Sequence, residues 1–397
     1  MNVPSHVTVS GSNRSNLWPV LPLGIKNGVS GQVGHHLFVG LGTAGLGMYA
    51  LDLDAPEVGW RAIAPFPGPA RDSAACAVAG GRLYIASGLG KVTPDDQVAR
   101  VLQDVYQYDP QRDAWFKLDT GTPVGCLGAS AFAIDDNRIG FVGGVNTEIF
   151  DRFMRAAATV DPEQEPESGQ RILNEFMSMP PEDHKWNAKL WVYYIAENAW
   201  SELGDNPYLP NTGAACVAVE NGVFLINGEI KPGLRTPQVK RITFQNGMAV
   251  WSEENPIPPL VGHPIQDGLA GAYAGRVNGV LLVAGGANFH GSRAVAATGE
   301  WYAHRGLQKV WNREVYAKRD GVWHVAGRLP MGLAYGASFE IPEGLLLVGG
   351  EDQQQKARTD VHLLTWDDVS GKATCTRLRH SDFRQGQRLG QPICKEI

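Results

Sequence analysis

Four kinds of short segment follow one another six times along the chain: a run of small residues, a tight polar turn, a strongly apolar run, and glycine. The apolar runs contain Phe38-Val39, Tyr84-Ile85, Phe141-Val142, Leu225-Ile226, Leu282-Val283 and Leu347-Val348, and they lead to Gly42, Gly88, Gly144, Gly228, Gly286 and Gly350. Runs this short, closed by turn residues at both ends, predict strands rather than helices. The turns before them (Gly80-Gly81, Asp135-Asp136-Asn137, Asn221-Gly222, Asn278-Gly279 and Glu343-Gly344) carry residue types that tolerate the positive φ of a hairpin. A third strand follows in each copy, as in Val105-Tyr106-Gln107-Tyr108-Asp109. A tryptophan then opens a fourth, at Trp60, Trp115, Trp200, Trp251 and Trp323. The last copy has no such tryptophan, and Thr376 falls near its place.

Four antiparallel strands repeated six times predict an all-β chain, a six-bladed β-propeller of kelch type. First strands such as Ser73-Ala74-Ala75-Cys76-Ala77 suit the crowded axis, where strands converge and large side chains do not fit. The tryptophans belong further out, wedged between blades, each burying ~200 Å² of ring. The blades are expected over 31–68, 71–122, 128–207, 212–258, 268–330 and 335–380. One propeller domain then occupies 21–380, with an N-terminal extension at 1–20 and a tail at 381–397. Either terminus is free to close the ring.

Two copies are lengthened. Glu148 to Lys189 has the apolar spacing of two short helices around an acidic linker, Asp161 to Ser168, and Ala294 to Arg313 reads as partly helical. These helical insertions in blades three and five both follow the glycine position, so both project from the same end of the ring. A lid over the channel mouth and a plain surface excursion both fit.

Composition narrows the function. A formal charge of −6 leaves no basic footprint for nucleic acid. No apolar run approaches the ~18 residues of a membrane span. The polar stretch Met1 to Val20 has no export-signal pattern, which places the chain as written in the cytoplasm unless a signal has been removed. Five cysteines without a CxxC pair read as buried free thiols in a reducing compartment. No HxH, HExxH, phosphate loop or nucleophile elbow occurs, so neither a metal nor a cofactor is expected. A copper oxidase on a propeller lacks its Tyr, His and Cys ligands.

The polar candidates lie just beyond the glycines, on loops that the repeat makes equivalent and gathers around the axis. Blade four offers Glu229, Lys231 and Arg235; blade five offers Asn288, His290 and Arg293; blade three offers Asn146. A carboxylate beside cations suits acid–base work on an anionic substrate, though Glu229 pairing with Lys231 or Arg235 merely to stiffen the loop fits as well. Asn146 and Asn288 are placed either to bind hydroxyls or to cap their own turns. Arg71 either points into the channel or bonds loop carbonyls. His304 either reaches the channel or stays solvated. Glu351 and Asp352 are expected in solvent.

Asn227-Gly228-Glu229-x-Lys231-Pro232-Gly233-Leu234-Arg235-Thr236 resembles the corresponding loop of the N-acetylneuraminate epimerases, the sialic acid mutarotases of the kelch-propeller class. Gly40-Leu41-Gly42-x-Ala44-Gly45, Arg71-Asp72, Gly143-Gly144-Val145-Asn146, Gly291-Ser292-Arg293, Tyr302-Ala303-His304-x-Gly306-Leu307, Ala334-Tyr335-Gly336 and Gly349-Gly350-Glu351 extend the resemblance over residues 20–365. It implies a cofactor-independent isomerase that interconverts the α and β anomers of N-acetylneuraminate, with Glu229 as proton acceptor and Arg235 as its partner. It further implies a substrate carboxylate held by Arg235, Lys231, Arg293 or Arg71, a homodimer, and export to the periplasm. Arg305 departs from the acidic residue that relatives often carry there. The rival reading is a non-catalytic propeller that binds a glycan or protein.

Overall fold

A computed structural model describes residues 18–161, 163–260 and 262–377. Residues 1–17 of the expected extension, the whole expected tail and Cys394 lie outside these described residues. Six four-stranded antiparallel sheets follow in chain order, so the fold is the expected six-bladed propeller. Their strands span 29–62, 75–121, 130–205, 215–254, 273–328 and 337–377. The first strands are innermost. Each touches the first strand of the next blade, and the circle closes between Ala337–Ile341 and Val29–Val33.

The core is distributed rather than central. Six hydrophobic clusters occupy the six joints between neighbouring blades. The tryptophans serve these joints as expected. Trp60, Trp115, Trp200 and Trp323 donate their indole N–H to Pro19 O, Ala64 O, Thr120 Oγ1 and Asn255 O, at 2.9, 2.9, 3.2 and 2.9 Å. Each bond ties a blade to the segment that precedes it.

Blade six differs from its expected form. The position equivalent to Trp115 and Trp200 is Ala373, not Thr376: Trp115 pairs with Tyr108, Trp200 with Tyr193, and Ala373 with Trp366. The indole has moved across the pair to the third strand, where the alanine leaves it room.

No strand is exchanged between the ends of the described chain. The ring is closed instead by residues 18–28, which run along blade six. Leu21 and Ile25 donate to Thr359 O (2.9 Å) and Arg358 O (3.2 Å), and Gly350 donates to Ile25 O (2.7 Å). Trp18, Leu21 and Ile25 join the core between blades six and one. Residues 18–20, read from sequence as extension, are therefore part of the closure.

The cysteines Cys76, Cys126, Cys216 and Cys375 are all free thiols; Cys126 is fully buried and the others are half-buried. The blade-three insertion folds as α1 (Thr147–Ala158) and α2 (Pro166–Met177), and the blade-five insertion contains α3 (Ser292–Ala296). Phe153 of α1 stacks on Phe176 of α2 with ring centres 3.9 Å apart.

Candidate active site

At the end of the propeller that carries the glycines, six backbone N–H groups bond around the axis in a closed circle. Ser73 donates to Asn27, Gly128 to Ser73, Gly213 to Gly128, Gly271 to Gly213, Tyr335 to Gly271, and Asn27 to Tyr335, at 2.7–3.0 Å. All six residues have φ between 53° and 70°, the left-handed conformation in which each N–H faces the neighbouring blade's carbonyl. Glycine or asparagine takes this conformation readily. Tyrosine does not, and Tyr335 is the one bulky side chain in the circle. Its ring lies against Gly271, where any β-carbon would collide with it.

The circle borders an axial channel of about 590 Å³, lined lower down by the small residues of the inner strands, among them Ala74, Ala129, Ala131, Ala272 and Ala274. Glu229, Pro232, Tyr335, Phe150 and Trp186 also line it. The last two come from the blade-three insertion, which therefore shapes the channel wall.

Glu229 begins a small hairpin, Glu229–Lys231 paired with Leu234–Arg235, in which Glu229 and Arg235 are direct cross-strand partners. Arg235 Nη2 donates to Glu229 Oε1 at 2.6 Å; the arginine side chain is 3% exposed and the glutamate's 24%. Arg235 Nε and Nη1 are buried without a hydrogen-bond partner among the described residues, and the guanidinium lies 4.8 Å over the Phe289 ring. The carboxylate thus keeps a face on the channel while its counterion sits behind it, away from water. A fixed cation in a low-dielectric wall holds the base in place better than a solvated one.

The remaining sequence candidates surround this pair. His304 packs on Phe289, with ring centres 4.8 Å apart, and covers Gly233 so closely that only glycine fits there. Burial, helped by the positive charges of Arg235 and Lys231, pushes His304 down to about 4, so the ring is neutral at neutral pH. Arg293 donates to the carbonyl of Arg235 at 3.1 Å. Lys231 is fully buried and donates to Met177 O at the end of α2 (2.7 Å) and to Trp301 O (2.9 Å). It joins both insertions to the blade-four hairpin, and burial pushes it down to about 8. Asn288 is buried, with Nδ2 donating to Gly268 O at 3.0 Å.

Two candidates lie elsewhere. Arg71 does not line the channel: it is paired to Asp104 at 2.6 Å, donates to Pro69 O and Ser87 O, and lies over Phe66. Asn146 caps α1, its Oδ1 accepting from Ile149 N at 3.0 Å. Glu351 and Asp352 are not in solvent as expected. Asp352 pairs with Arg358 at 3.2 Å. Glu351 is 5% exposed and bonded to Lys26, Lys309 and Trp311. Sequence reading passed over Lys26, Lys309 and Trp311. The one available signal was a glutamate at the Glu229 position of another repeat, which needed partners.

Fold and site together define a class, the kelch-type propellers that carry a carboxylate–arginine pair at the mouth of the axial channel. A sequence model of the N-acetylneuraminate epimerase family matches residues 18–372, and the chain belongs to that family. The N-acetylneuraminate epimerase of Brucella melitensis is 49% identical, over 90% of this chain and 92% of its own length. That of Vibrio cholerae is 44% identical, over 91% and 93%. The solved structure of YjhT superposes with a TM-score of 0.84 at 34% identity, covering 90% of this chain and 99% of its own.

Proposed function

We propose that the protein is an isomerase that interconverts the α and β anomers of N-acetylneuraminate, with Glu229 as its acid–base group. The observation that carries this reading is a carboxylate on the channel wall bonded at 2.6 Å to a buried arginine, in a chain of the epimerase family. Glu229 takes the proton of the anomeric hydroxyl, the bond from the anomeric carbon to the ring oxygen breaks, and a proton goes to that oxygen. The open keto form turns about the bond beside its new carbonyl, and the hydroxyl closes on the opposite face. The same protons return, so no group is gained or lost and no electrons leave the sugar. Arg235 orients Glu229, Arg293 holds the Arg235 backbone, and the neutral His304 with Phe289 keeps water from the pair. Lys231, Asn288, Asn146 and Arg71 support the loops around the site.

Freshly dissolved crystalline N-acetylneuraminate starts as almost one anomer, so proton NMR follows its equilibration directly. The protein is expected to accelerate that approach at catalytic concentration. No acceleration at any pH between 5 and 8 would replace this reading with that of a glycan-binding propeller.

A further inference from the structure

Glu351 stands on blade six where Glu229 stands on blade four. Each follows the second of two positive-φ residues (Asn227-Gly228 and Gly349-Gly350), and each pairs across an isolated bridge, Glu229 with Thr212 and Glu351 with Ala334. Blade five, between them, carries Ala287 at this position, bridged to Ala270. At this position the mouth therefore carries a carboxylate on blades four and six and a methyl group on blade five.

Their bonded partners differ. Glu229 is in direct contact with one cation, Arg235, with the buried Lys231 further off. Glu351 accepts from two, Lys26 at Oε2 and Lys309 at Oε1 (3.1 Å), and its Oε1 also accepts from Trp311 Nε1 at 3.0 Å. Burial works to raise its pKa, but the two lysines outweigh burial and hold the carboxyl below its usual range. Asp72 also acts on Lys26 from further off, which leaves Lys309 the less committed of the two lysines. The lysine side chains are 20% and 28% exposed. The Lys309 ammonium makes one hydrogen bond among the described residues and lies 4.5 Å over the rings of both Trp311 and Tyr335. Tyr335 is on the channel wall. Lys309 is also the cross-strand partner of Phe289, which underlies Arg235, so one short hairpin of blade five links both clusters.

Three of the four cations that the family resemblance offers are fully engaged, and the fourth, Arg235, has its remaining donors Nε and Nη1 buried. Arg71 is paired with Asp104 and Arg235 with Glu229; Lys231 is fully buried, donates to two carbonyls and feels Glu229 and Glu300; Arg293 donates to a backbone carbonyl and feels Asp267. A substrate carboxylate entering the mouth finds partly exposed positive charge on Lys309 of blade five and Lys26 of the closing segment.

We propose that Lys309, with Lys26 behind it, binds the substrate's carboxylate at the channel rim, across blade five from Glu229. The assignment rests on the N-acetylneuraminate reading and adds to it the residues that select an acidic sugar. Tyr335, held in a conformation that tyrosine avoids, forms the surface against which Lys309 is aimed.

The test compares anomer exchange of N-acetylneuraminate with that of its methyl ester, which keeps the hemiketal and loses the charge. Wild-type protein is expected to favour the acid. Lys309→Met is expected to lower kcat/KM for the acid on the order of 30-fold, the worth of one charged hydrogen bond, chiefly through KM. The ester should change less than about 2-fold and Lys309→Arg should recover most of the loss. Lys26→Met should act in the same direction with smaller effect. A wild-type protein indifferent to the charge, or a Lys309→Met loss equal for acid and ester, overturns the proposal; the wild-type arm needs no variant to fold. Failure of the wild type on both compounds would instead sink the epimerase reading itself.

Discussion

Glu229 and Arg235 face each other as neighbours across a short hairpin that turns at Pro232-Gly233, the carboxylate open to the channel and the guanidinium buried behind it at 2.6 Å. This arrangement separates the two tasks of the pair. The glutamate meets the substrate, and the arginine fixes the glutamate.

Replacing Glu229 by Gln keeps the shape and hydrogen bonding of the site but removes the base. The fold should survive with a lowered melting temperature, since the buried Arg235 loses its counterion, while anomer exchange slows on the order of 10²-fold or more. NMR equilibration of fresh N-acetylneuraminate measures the rate. Unchanged catalysis would take Glu229 out of its role.

Arg235→Ala should cost both folding and catalysis. Sequence alone points to an effect mainly on substrate binding, but the 3% exposure of the side chain adds a packing loss over Phe289. Breaking a largely buried ion pair should lower stability by about 3 kcal/mol. Urea denaturation checks this, and a loss below about 0.5 kcal/mol would contradict the buried geometry.

Lys231→Met retains the aliphatic stem and removes the ammonium that Met177 O and Trp301 O share. The insertion should loosen from blade four while the blades stay paired. Limited proteolysis should then cut between α1 and α2 faster than in the wild type, with little change in the circular dichroism of the sheets. Equal cutting rates would show that Lys231 does not brace the insertion.

Gly271→Ala places a methyl group against the Tyr335 ring at a φ of 62°. The circle of backbone bonds should distort, at a cost of roughly 2 kcal/mol or more. The double variant with Tyr335→Gly should recover the steric part of that loss. Thermal melts of the two variants decide it.

His184 is buried, 5.0 Å from the Phe176 ring, and burial followed by the charge of Lys231 pushes it down to about 4. Between pH 6.5 and 4 the unfolded chain takes up a proton there and the folded chain does not. Its contribution is therefore complete above pH 6.5 and is lost as pH falls towards 4, by up to ~3 kcal/mol. A His184→Phe variant should show a shallower fall in stability over that window in acid denaturation; an identical profile would contradict the assignment.

The repeat made the blades legible because each strand is a local pattern: small residues, a turn, an apolar run and glycine. Ser73-Ala74-Ala75-Cys76-Ala77 announces an inner strand, and Trp115 announces a joint, without knowledge of any neighbour. Glu229 stood out for the same reason, since Lys231 and Arg235 follow it within one loop. Glu351 did not, because its partner Lys309 belongs to the neighbouring blade and its partner Lys26 meets it only when the ring closes. The Ala373 and Trp366 exchange lies within one hairpin and was hidden for another reason: only the strand register shows which two residues face each other.

The sequence by itself determined six blades, the end of the ring that carries the polar loops, and a glutamate with cations close by. Those features depend on contacts within one repeat, where residue order and spatial order agree. Tertiary structure decided which cation serves which group. Arg235 was turned behind Glu229, Lys231 was buried under two insertions, and Arg71 was spent on Asp104. Tertiary structure also brought residues 26, 309 and 351 into one cluster. Closing a ring joins the ends of the chain, and no local pattern records what the two ends will place side by side.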